Sequence, residues 1–181
     1  MITRVGTALT GLATVYVVAL LVGMQDPGWA YAARGLIHLA ELAVLLGVVG
    51  SGAAGRGVLA RIGAGLAGLG LVGMAVAEVL TNAAPGPSDL LFSIAPNLVG
   101  IGLILVGVAV IRAGVWSGWR RFVVLALGIV VFVVMTPLLI VSGGPPAPAG
   151  LVAVLVWEAL WTLIGVAALT SPALRREPVP A

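Results

Sequence analysis

The sequence predicts an all-α integral membrane protein, a bundle of six transmembrane helices with both termini in the cytoplasm. Of its 181 residues, 61% are hydrophobic and only 8% are charged, and the mean hydropathy is +1.24. Soluble domains carry about 25% charged residues. Six apolar runs are each long enough to cross a bilayer as a helix, and arginine falls at alternate ends of these runs. A chain of this composition needs lipid around most of its surface.

Turn-forming stretches divide the six predicted helices. The helices are expected at residues 5–24, 29–49, 58–81, 90–111, 119–141 and 149–170. The stretches 25–28, 51–57, 82–89, 112–118 and 142–150 are rich in Gly, Pro, Asn and Ser, which favour turns. None of them is long enough for a further domain, so we predict one transmembrane domain over 1–174 and a cytoplasmic tail at 175–181. The first run resembles a signal peptide, but no small-residue cleavage site follows it, so we expect it to be retained.

The positions of arginine predict the orientation. One set of helix ends carries Arg4, Arg56, Arg61, Arg112, Arg120, Arg121, Arg175 and Arg176. The loops at the opposite ends carry Asp26 and Asp89, and the positive-inside rule therefore places both termini in the cytoplasm. Arg34 is the exception, because it lies one turn inside the outer end of helix 2. We expect it to pair with Glu78 or Asp89; the alternative is an arginine that extends to the outer headgroups.

Helix 2 has an ionisable face. Tyr31, Arg34, His38 and Glu41 are spaced by three, four and three residues, so they share one side of a helix. A charged side chain at the centre of a bilayer costs about 2.5–3.5 kcal/mol on insertion scales. These side chains therefore need partners from other helices.

Helix 3 is rich in small residues rather than in polar ones. The run contains Gly63, Gly65, Gly68, Gly70 and Gly73. A nucleotide-binding loop is excluded because no strand precedes these glycines and they lie inside a membrane span. Small residues at helical spacing instead allow close helix contacts, and we expect helix 3 to lie in the middle of the bundle.

The polar residues of the other helices fall at matching depths. By helical rise, Glu41 and Glu158 lie about 13–15 Å below the outer surface and Glu78 about 6–8 Å below it, with Asn82 one turn above Glu78. Asn97 lies in the outer half of helix 4. The inner halves read as Leu, Val, Ile, Ala and Gly. The sequence therefore predicts a polar pocket that is closed toward the cytoplasm and open toward the outer side.

Candidate site residues follow from this placement, since ionisable groups inside a membrane mark functional sites. The predicted catalytic residues are His38, Glu41, Glu78 and Glu158. The predicted substrate-binding residues are Tyr31, Arg34, Asn82, Asn97, Trp157 and Trp161. The last two flank Glu158 at depth, whereas Trp29, Trp116 and Trp119 are assigned to the interfacial belt.

Composition narrows the chemistry of such a site. The chain has no Cys and one His, which excludes thiolate sites and bis-histidine haem. A di-iron bundle site uses Glu-x-x-His twice, and here only His38-x-x-Glu41 occurs, so we expect no metal and no cofactor. The net charge of +3 comes from arginines at helix ends rather than from one basic patch, so no nucleic acid is expected. General acid–base chemistry by buried carboxyl groups remains.

The buried acids Glu41, Glu78 and Glu158 in a small helical bundle resemble, in kind, the integral-membrane terpene cyclases of meroterpenoid pathways. The stretch GWRRFVVLALGIVVFVVMTPLL at 118–139 also resembles uncharacterised six-helix bacterial membrane proteins. The first resemblance implies proton-initiated cyclisation or isomerisation of a lipophilic, isoprenoid-like substrate that enters from the membrane. The second implies a multi-pass protein of a bacterial inner membrane.

Two other functions are kept beside the enzyme. The chain is alternatively a small proton- or cation-coupled transporter or channel, or an accessory subunit of another membrane protein. A transporter needs polar access from both sides, and the apolar inner halves favour the enzyme. In either case at least two of Glu41, Glu78 and Glu158 should face one cavity, with His38 and Asn97 in its wall.

Overall fold

The computed structural model describes residues 1–171, and the predicted tail at 175–181, with Arg175 and Arg176, lies outside the described residues. Within residues 1–171 every regular element is helical, and six helices are long and apolar enough to cross a membrane. The predicted all-α membrane bundle is therefore confirmed. The helices are α1 Ile2–Leu21, α2 Ala30–Gly50, α3 Val58–Leu80, α4 Pro85–Ala113, α5 Arg120–Ser142 and α6 Pro148–Leu169.

Helix α4 begins five residues before its predicted start. Pro85 occupies its first turn, where the missing N–H of proline costs nothing because first-turn N–H groups have no partner within the helix. The proline-containing stretch that was predicted to be a loop is therefore partly the start of α4. The buried hydroxyl of Ser88 fastens this first turn to α3 by donating to the carbonyl of Ala77 at 2.9 Å.

Helix α5 contains one wide turn. A π-helical segment, Val131–Met135, separates two α-helical segments, Arg120–Val130 and Thr136–Ser142. Pro137 lies two residues beyond this segment, and proline cannot donate the hydrogen bond of a regular helix. The hydroxyl of Thr136 donates to the carbonyl of Val131 at 2.8 Å. π-Helical segments inside α-helices usually occur as single turns of this kind.

The six helices form a ring in chain order, closed by α6 against α1, and α2 also contacts α6. The prediction that α3 lies in the middle is wrong, because α3 packs between α2 and α4. Helices α2 and α6 meet inside the ring instead. This arrangement brings together the two helices that carry Glu41 and Glu158.

Glycine sets how closely the helices approach. A Cβ atom added to Gly63 of α3 would lie 2.7 Å from the carbonyl oxygen of Gly102 on α4, and one added to Gly102 would lie 2.4 Å from the backbone nitrogen of Ala67. Backbone atoms therefore touch where α3 crosses α4, as the small residues of helix 3 predicted.

Helix α1 docks between α2 and α6 in the same manner. The side chain of Thr3 packs on Gly47 of α2, and that of Thr7 packs on Gly165 of α6, so tightly that a Cβ atom at either glycine would overlap the threonine. The face of α1 that bears its threonines is therefore turned into the bundle.

The tryptophans divide differently from the prediction. Trp29 and Trp119 are exposed, as an interfacial belt requires, whereas Trp116 is buried and its indole N–H donates to the hydroxyl of Ser171 at 3.2 Å. The assignment of Trp116 to the belt is therefore wrong. Trp157 and Trp161 are fully buried.

Candidate functional site

The ionisable face of α2 begins with an outer cluster, which consists of Tyr16, Asp26, Arg34 and Glu78. The Nε atom of Arg34 donates to Glu78 Oε2 at 2.9 Å, and its Nη1 atom donates to Asp26 Oδ2 at 2.8 Å. The hydroxyl of Tyr16 donates to the other oxygen of Asp26. Two carboxylates from α3 and the α1–α2 loop thus hold one guanidinium.

The predicted pairing of Arg34 with Glu78 is confirmed, and the alternative of an arginine free among headgroups is excluded. Asp89, the other predicted partner, is exposed and makes no ion pair within residues 1–171. Asp26 takes that place because the short α1–α2 loop returns it over the first turns of α2. Sequence reasoning missed Asp26 and Tyr16 as members of this cluster. The sequence feature that could have indicated Asp26 is an acidic residue in a tight loop, eight residues before an arginine that needs a partner.

Deeper along the same face lies a buried centre, which consists of His38, Glu41, Trp157, Glu158 and Trp161. His38 Nδ1 and Glu41 Oε2 share a hydrogen bond of 2.7 Å. The indole N–H of Trp157, 116 residues away on α6, donates to Glu41 Oε1. Both oxygens of the fully enclosed Glu41 carboxyl group are therefore occupied.

Glu158 differs from Glu41 in its partners. Glu158 is 4% exposed, and its Oε2 atom has no hydrogen-bond partner within the described chain. It directly follows Trp157, whose indole N–H donates to Glu41. The indole N–H of Trp161 is also buried without a partner. The buried centre therefore has one unused acceptor and one unused donor, which is rare in protein interiors.

The predicted site residues fall into two clusters that cut across the predicted catalytic and substrate-binding groups. His38 and Trp157 bond to Glu41 in the buried centre, while Glu78 bonds to Arg34 in the outer cluster. Asn97 donates to the carbonyl of Ser93 on its own helix at 2.8 Å. Asn82 is exposed and Tyr31 half-buried, and neither makes a side-chain hydrogen bond within residues 1–171. The predicted place of Asn97 in the wall around the glutamates is wrong, because the buried face of α4 carries Ala95, Val99 and Gly102 instead.

The expected open pocket around the glutamates is also wrong. Glu41 and Glu158 are both buried, and Trp157, which donates to Glu41, stands edge to face with Trp161 at 5.9 Å between ring centroids. One surface groove lies at the end of the bundle that carries Arg56 and Arg61. Another groove, almost wholly apolar, runs between α1 and α2 and is lined by Leu9, Leu12, Tyr16, Trp29, Leu36 and Ile37.

The half of the bundle that the prediction places toward the cytoplasm is not uniformly apolar, contrary to the prediction. Thr3, Thr7, Thr10 and Thr14 of α1, with Thr162 of α6, form what we call the threonine ladder. The hydroxyl of Thr162 lies 3.3 Å from the hydroxyls of both Thr10 and Thr14. Thr10 donates to the carbonyl of Thr7 at 3.1 Å, and Thr7 to that of Thr3 at 2.7 Å. The signal was the 4-3-4 spacing of threonine in the first predicted helix.

Together the fold and the site define a six-helix integral membrane protein with an enclosed pair of carboxyl groups. Within residues 1–171 no group of three or more His, Cys, Asp and Glu residues is arranged to hold a metal ion. A scan against protein-family models, a search of curated proteins and a search of solved structures each find no match to the chain.

Proposed function

We propose that this protein is a membrane-embedded acid–base protein that takes up and releases a proton at the buried centre. One observation carries the proposal: Glu41 of α2 and Glu158 of α6 are both buried, Trp157 next to Glu158 donates a hydrogen bond to Glu41, and no arginine pairs with either glutamate among the described residues. Burying an ionised carboxylate without a counter-charge is very costly. Two neighbouring carboxyl groups in a low dielectric do not both ionise, so at least one proton stays in the pair.

Glu158 is the group we assign to proton exchange. Trp157 and His38 each hold one oxygen of Glu41, whereas Oε2 of Glu158 has no partner among residues 1–171. A free oxygen can bind and release a proton without breaking an existing hydrogen bond. Glu41 and His38 act as positioning residues. They determine the electrostatic environment of Glu158.

His38 is the group that we propose to relay the proton to the carboxyl pair. It follows Arg34 by one turn on α2, and its Nδ1 atom shares a hydrogen bond with Glu41 Oε2. Histidine can bind a proton on one ring nitrogen and release one from the other. This places His38 between the partly exposed ion pair and the enclosed carboxyl pair.

The proton has two candidate uses. Proton-coupled or proton-conducting transport is favoured because the acids are enclosed by tryptophan rather than open to a substrate. Acid catalysis on a lipophilic, isoprenoid-like molecule, the cyclase or isomerase activity implied by the resemblance, is the second candidate. The apolar groove that ends at Tyr16 favours it, since a hydrocarbon chain fits such a surface.

Infrared spectroscopy of the protein in lipid tests the proton itself. A protonated buried carboxyl group absorbs apart from ionised ones, and this absorption should be present at neutral pH and absent in Glu158→Gln. Asp89→Asn is the matched control, because it removes an exposed acid that lies outside both clusters. If Glu158→Gln leaves the absorption unchanged, Glu158 does not hold the proton. Turnover of a prenylated probe by the same samples tests the catalytic use.

The proposed setting is a bacterial inner membrane with both termini in the cytoplasm. Single cysteines at Gly86 and Val115, both exposed at opposite ends of the bundle, test the orientation in intact cells. A membrane-impermeant reagent should label Gly86→Cys and leave Val115→Cys unlabelled. The opposite pattern would reverse the topology.

A further inference from the structure

The apolar groove between α1 and α2 has the dimensions of a site for a hydrocarbon chain. Its volume is about 230 Å³. The buried Ala13 of α1 and the half-buried Ala33 of α2 line it between the larger, exposed side chains of Leu12 and Leu36. On α1 the lining residues fall within 9–16, which is about 10 Å of helix by helical rise. The groove therefore has room for a stretch of one lipid chain that lies along the bundle.

Aromatic and acidic groups lie where the groove meets the outer cluster. Tyr16 and Trp29 both line the groove, and Trp29 is 65% exposed. The hydroxyl of Tyr16 donates to Asp26, and Arg34 donates to the other carboxylate oxygen of Asp26. A carboxylate has about four acceptor sites, so these two bonds leave acceptor sites on Asp26 unused. Asp26 is 42% exposed and can accept from a further donor that lies at the end of the groove.

The charge at this end of the bundle favours a cation. With both carboxylates ionised, the outer cluster has a formal charge of −1, since Asp26 and Glu78 share the single guanidinium of Arg34. The other arginines of residues 1–171 lie at the opposite end of the bundle. An anionic head would meet a negative cluster whose arginine is already engaged. A primary ammonium can instead donate to Asp26 and lie against the ring face of Trp29.

We propose that the groove between α1 and α2 binds one chain of a membrane lipid whose head carries a primary ammonium. The chain lies along Ala13 and Ala33, and the ammonium pairs with Asp26 beside Tyr16 and Trp29. The apolar lining accepts any hydrocarbon chain, so the acidic end of the groove provides the selection for the head. This binding is independent of the proton exchange proposed at Glu158, which involves none of these residues.

Quenching of tryptophan fluorescence by lipids with brominated chains tests the inference. Of the five tryptophans only Trp29 and Trp119 are exposed, so Trp29 is the exposed reporter in Trp119→Phe protein. The full-length protein is placed in vesicles of equal parts phosphatidylethanolamine and phosphatidylglycerol, with one or the other lipid brominated. Phosphatidylethanolamine should occupy the site next to Trp29 about three- to fivefold more often, as an exposed ion pair allows.

Two acids at the same end of the bundle provide a matched comparison. Asp26→Asn keeps the shape of the side chain and removes its charge, and it should abolish the preference for phosphatidylethanolamine. Asp89→Asn removes an exposed acid outside the outer cluster and should leave the preference unchanged. Trp29→Phe protein reports from Trp119 at the other end of the bundle. There Arg120 and Arg121 follow Trp119, so this reporter should favour phosphatidylglycerol.

Three results would overturn the inference. Equal quenching of Trp29 by the two lipids, or a preference that survives Asp26→Asn, would mean that the groove takes any hydrocarbon chain. Brominated phosphatidylcholine has a quaternary ammonium that cannot donate a hydrogen bond, and binding equal to that of phosphatidylethanolamine would exclude the bond to Asp26. Ala33→Leu fills part of the groove and should weaken the preference. An unchanged preference in Ala33→Leu would place the lipid outside the groove.

Discussion

The outer cluster and the buried centre lie two turns apart on the same face of α2, yet they solve the burial of charge in opposite ways. In the outer cluster a guanidinium faces two carboxylates, and Arg34 and Asp26 are 36% and 42% exposed. In the buried centre two carboxyl groups face one imidazole and two indoles, and Glu41 is wholly enclosed. The first arrangement has a permanent cation, whereas the second can approach neutrality only by holding protons.

This difference separates a cluster that holds the helices in position from a carboxyl group that exchanges a proton. Charge-assisted hydrogen bonds to arginine are among the strong interactions of proteins, and they hold Asp26, Arg34 and Glu78 together in the outer cluster. A carboxyl group with a free oxygen loses nothing when it binds a proton. We therefore assign structure to the outer cluster and proton exchange to the buried centre, and four sets of substitutions test this division.

The largest expected effect concerns the two kinds of glutamate. Glu158→Gln should lower the proton-dependent activity, measured as flux in vesicles or as turnover of a prenylated probe, by about 10²–10⁴-fold, the usual contribution of a positioned acid or base. Glu78→Gln, with its side chain held by Arg34, should lower it far less. Equal losses in the two variants would erase the proposed distinction between the clusters.

Sequence reasoning named every member of the buried centre as a site residue, but only Arg34 and Glu78 of the outer cluster. The spacing of Arg34, His38 and Glu41 fixed their common face on α2, and matched depth suggested Glu158. The bond from Trp157 to Glu41 could not be predicted, since it depends on how α6 is rotated against α2 and α6 is apolar on nearly every side. The enclosure of the glutamates could not be predicted for the same reason, because it too depends on the rotation of α6 against α2. An open pocket and a packed one share the same polar residues and differ only in where two indole rings lie.

The next effect is on stability and belongs to the outer cluster. Arg34→Gln leaves Glu78, whose side chain is 10% exposed, without its cation, and should destabilise the protein by about 1–3 kcal/mol. Thermal unfolding in detergent measures it. The double variant Arg34→Gln with Glu78→Gln should recover part of the loss, because no unpaired carboxylate remains. Purely additive losses would mean that the two side chains do not interact energetically.

The two tryptophans offer a matched comparison inside the buried centre. Trp157→Phe keeps an aromatic ring but removes the N–H that donates to Glu41, leaving a buried acceptor unpaired at a cost of about 1–3 kcal/mol. Trp161→Phe removes an N–H that has no partner within the described residues, so its loss should be smaller and come from packing alone. Thermal unfolding ranks the two. A larger loss for Trp161→Phe would contradict the assignment of Glu41 as the anchored carboxyl group.

The smallest expected effect is at Asp26, where the outer cluster meets water. Its ion pair with Arg34 measures 2.8 Å, but both side chains are over a third exposed, and exposed pairs contribute about 0.2–1 kcal/mol because water and salt screen them. Asp26→Asn should therefore cost less than about 1 kcal/mol, and the difference from the unaltered protein should shrink further as salt is raised. Thermal unfolding at low and high salt measures both, with Asp89→Asn as the exposed acid that has no such partner among the described residues.

Because Glu78 still holds Arg34 in the Asp26→Asn variant, proton-dependent activity should stay close to normal. A loss at Asp26 as large as that at Glu158 would show that the outer cluster itself exchanges the proton, and the division between the two regions would then fail.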